Sequence, residues 1–179
     1  ISWNQKSLSV VWKDWNGCMK KNREKKLFPL FTDLSEKKAV VFGAGTIATR
    51  RVKTLLSFAG EIHVIAPEAS AEILALAEKG EIVYQEKSYE REDLYDADLV
   101  LAATDDGKIN EDIYSACKCL GILVNVASDQ KKCDFHFPAV IEQDGVVIGI
   151  NAGGKDHKKV KEVRQNVETY LTSSREESE

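Results

Sequence analysis

Apolar residues follow two alternating rhythms along most of this chain. Short continuous runs recur at Val40-Val41-Phe42, at 61–66 (Glu-Ile-His-Val-Ile-Ala), at Ile82-Val83-Tyr84, at 98–104 (Asp-Leu-Val-Leu-Ala-Ala-Thr) and at 122–126 (Ile-Leu-Val-Asn-Val). Runs of this length suit parallel strands buried on both faces. Between them the apolar positions switch to helical spacing. Ile47, Val52, Leu55 and Leu56 give one face to a helix over 46–58, and further helices are predicted over 69–79 and 109–120. Gly60, Gly80 and Gly121 stand where each helix should stop. Strands alternating with helices of this length predict an α/β fold, a right-handed, doubly wound parallel sheet.

The rhythm changes after Asn125. Residues 135–140 and 141–150 read as antiparallel strands, with Asp144-Gly145 as a two-residue hairpin signal. Asn151-Ala152-Gly153-Gly154 is a second turn. Val160, Val163, Val167 and Leu171 then mark a helix over 157–171, followed by a polar end over 173–179. This small antiparallel-strand plus helix region is too slight to bury its own faces, so it predicts a homodimer in which a second copy covers it. The chain therefore divides into an N-terminal extension over 1–26, a nucleotide-binding domain over 27–127 and a dimerisation and substrate-binding region over 128–179.

The N-terminal extension differs from the rest. All the tryptophans, Trp3, Trp12 and Trp15, lie in it without strand or helix period, and the sole methionine is Met19. Residues 1–18 are read either as sequence upstream of a natural start at Met19 or as an arm that docks its aromatics on the domain. Leu27-Phe28-Pro29-Leu30-Phe31 follows as an apolar lead-in, a cover strand or a loop, and 33–36 reads as a turn.

Composition narrows the function classes. With 43% hydrophobic and 30% charged residues, the chain is ordinary for a globular protein. A net charge of -4 gives no field that draws it to nucleic acid, and no apolar run approaches membrane-spanning length. Cys18, Cys117, Cys119 and Cys133 form no Cys-x-x-Cys pair, and no histidine sits at zinc-ligand spacing. The cysteines read as reduced cytoplasmic thiols, with Cys117 and Cys119 on different sides of one helix.

The sharpest chemical signal is Gly43-Ala44-Gly45-Thr46-Ile47-Ala48, directly after the first strand. It carries the Gly-x-Gly-x-x-Gly/Ala pattern of a dinucleotide site. Gly43 permits a sharp exit from the strand. Gly45 lets a pyrophosphate approach the backbone, and Ala48 lets the helix pack closely on the sheet. The free amides of Thr46 and Ile47 then face the anion. In such sheets the ligand lies beyond the carboxyl ends of the strands. That places Ala66, Pro67 and Glu68, then Thr104, then Asn125 around the same crevice as candidate cofactor contacts. The acid that ordinarily ends the second strand and holds a ribose is replaced by Ile65 or Ala66, with Glu68 nearest. No Lys or Arg stands there to receive a 2′-phosphate, which favours NAD over NADP.

Candidates for proton chemistry line up at the ends of the later strands. They are Ser128 first, then Asp129 and Asp105, with His136 behind. Ser128 and Asp129 either act at the crevice or form a turn. Asp105 either contacts a ligand or helps cap the next helix, Asp106 is favoured as that cap, and Asn110 is placed to reach back to the loop. His136 alternates with Phe135 and Phe137 and so points away from them; it is an acid/base or metal candidate, or a polar partner within the dimer ribbon. His63, inside a strand, reads as structural. Lys155, His157, Lys158, Lys159, Lys161 and Arg164 make the start of the last helix basic, with Lys155, His157, Lys158 and Arg164 as the substrate-binding candidates. That is either a solvated face or a greeting for a polycarboxylate; it lacks the interleaved aromatics of a nucleic-acid surface.

Taken in order, Phe28-Pro29-Leu30-Phe31, the segment from Val41 to Arg51, Ala102-Ala103-Thr104-Asp105-Asp106 with Asn110, Asn125-Val126, Phe135-His136-Phe137-Pro138-Ala139 and Gly153-Gly154 resemble the precorrin-2 dehydrogenases, both the stand-alone form and the N-terminal module of sirohaem synthase. The resemblance covers about residues 27–171. It implies a Rossmann-like sheet followed by an interlocking dimerisation region. It also implies NAD-dependent oxidation of precorrin-2 to sirohydrochlorin in sirohaem biosynthesis. Bifunctional relatives also insert ferrous iron, and an aspartate linked to both activities falls at Ser128 here, which puts ferrochelation in more doubt than dehydrogenation. The family's Ser-Pro after the paired glycines is Asp156-His157 in this chain. Two other functions share parts of the pattern: a nucleotide-sensing regulatory module, which would ordinarily keep the ribose acid, and a tetrapyrrole-binding protein without catalysis.

Overall fold

Five parallel strands form the centre of the molecule in the order β3-β2-β1-β4-β5. The structure is a computed structural model that describes residues 27–154 and 156–176, so the alternatives for residues 1–18 and the role of Lys155 lie outside the described residues. The sheet is built from β1 (Lys38–Phe42), β2 (Glu61–Ala66), β3 (Val83–Glu86), β4 (Leu99–Ala102) and β5 (Leu123–Val126). Helices α1 (Thr46–Leu55), α2 (Ala71–Glu78) and α3 (Gly107–Leu120) connect them. Beyond β5, β6 (Ala139–Gln143) and β7 (Val146–Ile150) pair antiparallel, and α4 (His157–Glu176) closes the described chain.

The all-apolar runs are buried because both faces of the sheet are covered. On one face Val41, Val64 and Leu101 pack with Ala48, Val52 and Leu55 of α1 and Ile73 of α2. On the other, Val40, Phe42, Val100 and Val124 pack with Ile113 and Cys117 of α3. Each such Val, Ile or Leu contributes about 1.5–3 kcal/mol by leaving water, so alternate residues of β1 anchor opposite helical layers. Cys117 is buried and Cys119 exposed, as their two-residue offset on a helix requires.

Element boundaries shift where tertiary contacts outweigh the periodic signal. Helix α1 ends at Leu55, short of residue 58, and Gly60 acts by close approach: a Cβ there would meet Ser35 O at 2.2 Å. Helix α2 starts only at Ala71, because Ser70 caps it by accepting from the Ile73 amide. Strand β3 begins at Val83, one residue later than the apolar run. Residues 135–138 are not strand; Phe135 and Phe137 turn inward onto the α1 side of the core instead. The hairpin turn is as read: Gln143 pairs with Val146, and Asp144 and Gly145 both take positive φ, 53° and 77°. Helix α4 continues past residue 171 to Glu176. The lead-in does not cover the sheet: it is irregular, and Phe28, Leu30 and Phe31 are exposed.

Candidate active site

The turn between β1 and α1 lies where the sheet order reverses, over the carboxyl ends of β1 and β4. The Ala103 amide donates to Phe42 O at 2.8 Å, so the end of β4 is drawn against the glycine turn. A Cβ on Gly43 would stand 2.4 Å from Ala103 O, and its φ of +98° is left-handed; both features demand glycine. Gly45 is different. A Cβ there would meet nothing within 4 Å. The space in front of it is open, and no side chain caps the helix and no acid stands in its first turn. The first amides of α1 therefore face that space without an internal acceptor. This cradle fits the pyrophosphate of a dinucleotide.

The neighbouring loops are fixed by hydrogen bonds. The Ser70 amide donates to Ala44 O at 3.2 Å, and the Ser70 and Thr49 hydroxyls lie 2.9 Å apart, which holds the segment after β2 beside the glycine turn. Pro67 and Glu68 in that segment are exposed. At the end of β4, buried Asn110 reaches back as its spacing suggested. Its Oδ1 accepts from the Thr104 amide (3.2 Å) and hydroxyl (2.8 Å), and its Nδ2 donates to Thr104 O at 2.9 Å. Asp106 caps α3, its Oδ1 accepting from the Lys108 amide at 2.7 Å, while Asp105 stays exposed beside it.

Asn125 on β5 is buried, with both polar atoms engaged. Its Nδ2 donates to Phe135 O at 2.6 Å and its Oδ1 accepts from Arg51 Nη1 at 2.7 Å. The Arg51 guanidinium also lies over the Phe137 ring, 5.2 Å from its centroid. Its Nε is buried without a hydrogen-bond partner among the described residues. Burial lowers the Arg51 pKa from its ordinary value, though a guanidinium keeps its charge. After β5, Asp129 caps a short 3-10 turn (Gln130–Lys132) by accepting from the Lys131 amide at 2.9 Å. Burial raises the Cys133 pKa; its protonated Sγ donates to Val126 O (3.2 Å) and Asp129 O (3.4 Å), a tethered thiol rather than a nucleophile.

These elements enclose a cavity of about 890 Å³ between α1, the loop after β5, the hairpin and α4. Arg50, Arg51 and Lys53 line it from α1, and His157, Lys161 and Arg164 from α4. Among the described residues, Glu142 and Asp156 are the only acids in its lining. The excess of cations suits a ligand with several carboxylates. Ile47, in the first turn of α1, lines the same cavity, so the nucleotide cradle and the basic cavity meet along one helix.

The sequence model of a putative NAD(P)-binding family matches residues 30–139. The chain belongs to that family. Among curated relatives it is 43% identical over 141 residues to a probable multifunctional sirohaem biosynthesis protein HemA of Ruminiclostridium josui; the match covers 78% of this chain and 27% of that protein. It is 35% identical over 144 residues to the sirohaem synthase of Mannheimia succiniciproducens, covering 80% of this chain and 30% of the relative. The chain thus spans under a third of the length of these two relatives. Among solved structures it is similar to SirC, a precorrin-2 dehydrogenase, with a TM-score of 0.65, 29% identity, and 80% of this chain and 71% of that one covered.

For this NAD(P)-binding chain the residues singled out from sequence fall into three groups. Gly43, Gly45, Thr46 and Ile47 form the cradle, with Ala66, Pro67, Glu68 and Thr104 at the adjoining strand ends. His136, Asn125, His157 and Arg164 line the cavity. Ser128, Asp129, Asp105 and Lys158 are outside that lining. His63 sits within β2 beside Glu61, Nε2 to Oε1 2.5 Å. Arg51 and Gln130 carry no mark as site residues in the sequence. Arg51 and Asn125 are 74 positions apart, and no local spacing signals their meeting. Lys161, one of the cations expected at the start of the last helix, does line the cavity, four residues from His157 and three from Arg164 on one helical face.

Proposed function

We propose that this chain binds NAD and oxidises precorrin-2 to sirohydrochlorin, a step of sirohaem biosynthesis. The carrying observation is the shared helix: α1 offers an open, uncapped N-terminus at Gly45 and, less than two turns later, cationic side chains lining a cavity. The likeness to SirC over 71% of that chain supports the same reading. Glu68, exposed at the end of the β2 segment, disfavours a 2′-phosphate and favours NAD over NADP.

When bound, NAD+ accepts the hydride. The chain's residues place and orient the substrate. Its carboxylates meet Arg50, Lys161 and Arg164, and the cavity walls from Phe137 and Pro138 give the macrocycle an apolar surface. Oxidation removes one hydride and one proton from the substrate. The chain's part in the proton transfer falls to His136, which lines the cavity where Ser128, Asp129 and Asp105 do not. A second copy covers β6, β7 and α4: Val146 and Tyr170 are 58% and 72% exposed on that side. This reading places the active form as a cytoplasmic homodimer; no helix among the described residues is long and apolar enough to cross a membrane.

The test is direct. Incubation with precorrin-2 and NAD+ should raise NADH absorbance together with the sirohydrochlorin spectrum. If folded protein gives neither signal, the proposal is overturned. Sirohydrochlorin binding without NADH production would make the chain a tetrapyrrole-binding protein without catalysis.

A further inference from the structure

Among the described residues, Arg51 is a cation of the cavity held in place by an amide and a ring rather than by a carboxylate. Arg164 Nε pairs with Glu168 at 2.9 Å, and Lys53 pairs with Glu72. Arg50 and Lys161 are exposed on flexible stems. Arg51 instead has Nη1 pinned by Asn125, its plane laid over Phe137, and no carboxylate partner among the described residues. Its buried Nε has no acceptor among the described residues. A partly desolvated guanidinium with no counter-charge is costly to maintain unless an anion arrives. Asn125 is amide, not acid, so it orients the fork without neutralising it. Arg51 stands six residues after Gly45, about 9 Å along the helix axis, and so belongs to the cavity rather than to the pyrophosphate cradle.

We infer that Arg51 is a specificity-determining binding residue, a preoriented fork that takes one side-chain carboxylate of the tetrapyrrole. This rests on the substrate class proposed above. The guanidinium donates through the amino hydrogens that Asn125 leaves unused, a planar two-nitrogen edge that matches a carboxylate and that a lysine cannot reproduce. Phe137 and Asn125 are positioning residues for it: the ring fixes its plane and the amide its rotation.

The test titrates sirohydrochlorin, the expected product, into the full chain and follows its fluorescence, with NAD+ affinity measured in parallel by calorimetry. Arg51→Gln should weaken sirohydrochlorin binding about ten- to hundredfold and leave NAD+ affinity unchanged. Lys79→Gln, with the same loss of one charge at an exposed position outside the cavity lining, should weaken it by less than about threefold. Arg51→Lys keeps the charge and still loses about tenfold, because the fork is gone; it also decides the matter if Arg51→Gln fails to fold. Equal losses in Arg51→Gln and Lys79→Gln, or full affinity in Arg51→Lys, overturn the inference while the proposed substrate stands. No sirohydrochlorin binding by the unaltered chain overturns the proposed substrate and the inference with it.

Discussion

Arg51 Nη1 donates to Asn125 Oδ1 at 2.7 Å, joining the cofactor helix α1 to the last strand of the parallel sheet. The same amide donates to Phe135 O at 2.6 Å, so one side chain on β5 sets both the guanidinium and the start of the segment that leads to the hairpin. Buried polar atoms with every partner supplied fix a single arrangement.

Asn125→Ala leaves a buried carbonyl and a guanidinium nitrogen without partners. Each such loss costs about 1–3 kcal/mol, so the variant should lose about 2–4 kcal/mol of stability in urea unfolding. A change below about 0.5 kcal/mol would show that water replaces both bonds.

The two glycines of the turn should fail in opposite ways. Gly45→Asp places its side chain in open space, so the protein should keep its fold and melting temperature while a carboxylate at the cradle abolishes NAD+ binding by calorimetry. Gly43→Ala forces a Cβ to within 2.4 Å of Ala103 O at a φ of +98° and should destabilise the fold by about 2 kcal/mol or more. If Gly45→Asp binds NAD+ normally, the pyrophosphate lies elsewhere.

Asp98 gives the protein an acid-sensitive joint. The Lys38 amide donates to its Oδ2 at 2.9 Å and Lys37 Nζ to its Oδ1 at 3.0 Å. The backbone bond first, and then the lysine, hold the Asp98 carboxyl below its ordinary value of 3.8. The native state therefore binds fewer protons than the unfolded chain. The stabilisation is complete above the ordinary carboxylate value and is lost as pH falls through the native one. Denaturation curves between about pH 5 and pH 2 should show a shallower acid decline in Asp98→Asn than in the unaltered chain; identical slopes would remove Asp98 from the account.

His136 should matter for turnover more than the acids nearer the sheet. His136→Ala is expected to lower kcat about 100-fold with NAD+ affinity unchanged, whereas Ser128→Ala and Asp129→Ala should retain most activity. Full turnover in His136→Ala would return the role to the loop after β5.

The sequence by itself determined the parallel sheet, the glycine turn and the hairpin, because each rests on local chemistry. Continuous apolar runs have only a doubly covered sheet in which to hide. Gly43 and Asp144-Gly145 specify backbone conformations that few residues adopt. Asp106 as cap and Asn110 as its neighbour's partner were legible for the same reason: both act within one turn of helix. The tertiary structure alone decided what surrounds the ligand. Arg51 read as one more charge on a helix until β5 brought Asn125 to it and residues 135–137 left strand geometry to lay Phe137 beneath it. Contacts across 74 positions of sequence leave no periodic trace, because they are set by how layers pack and not by how a segment folds.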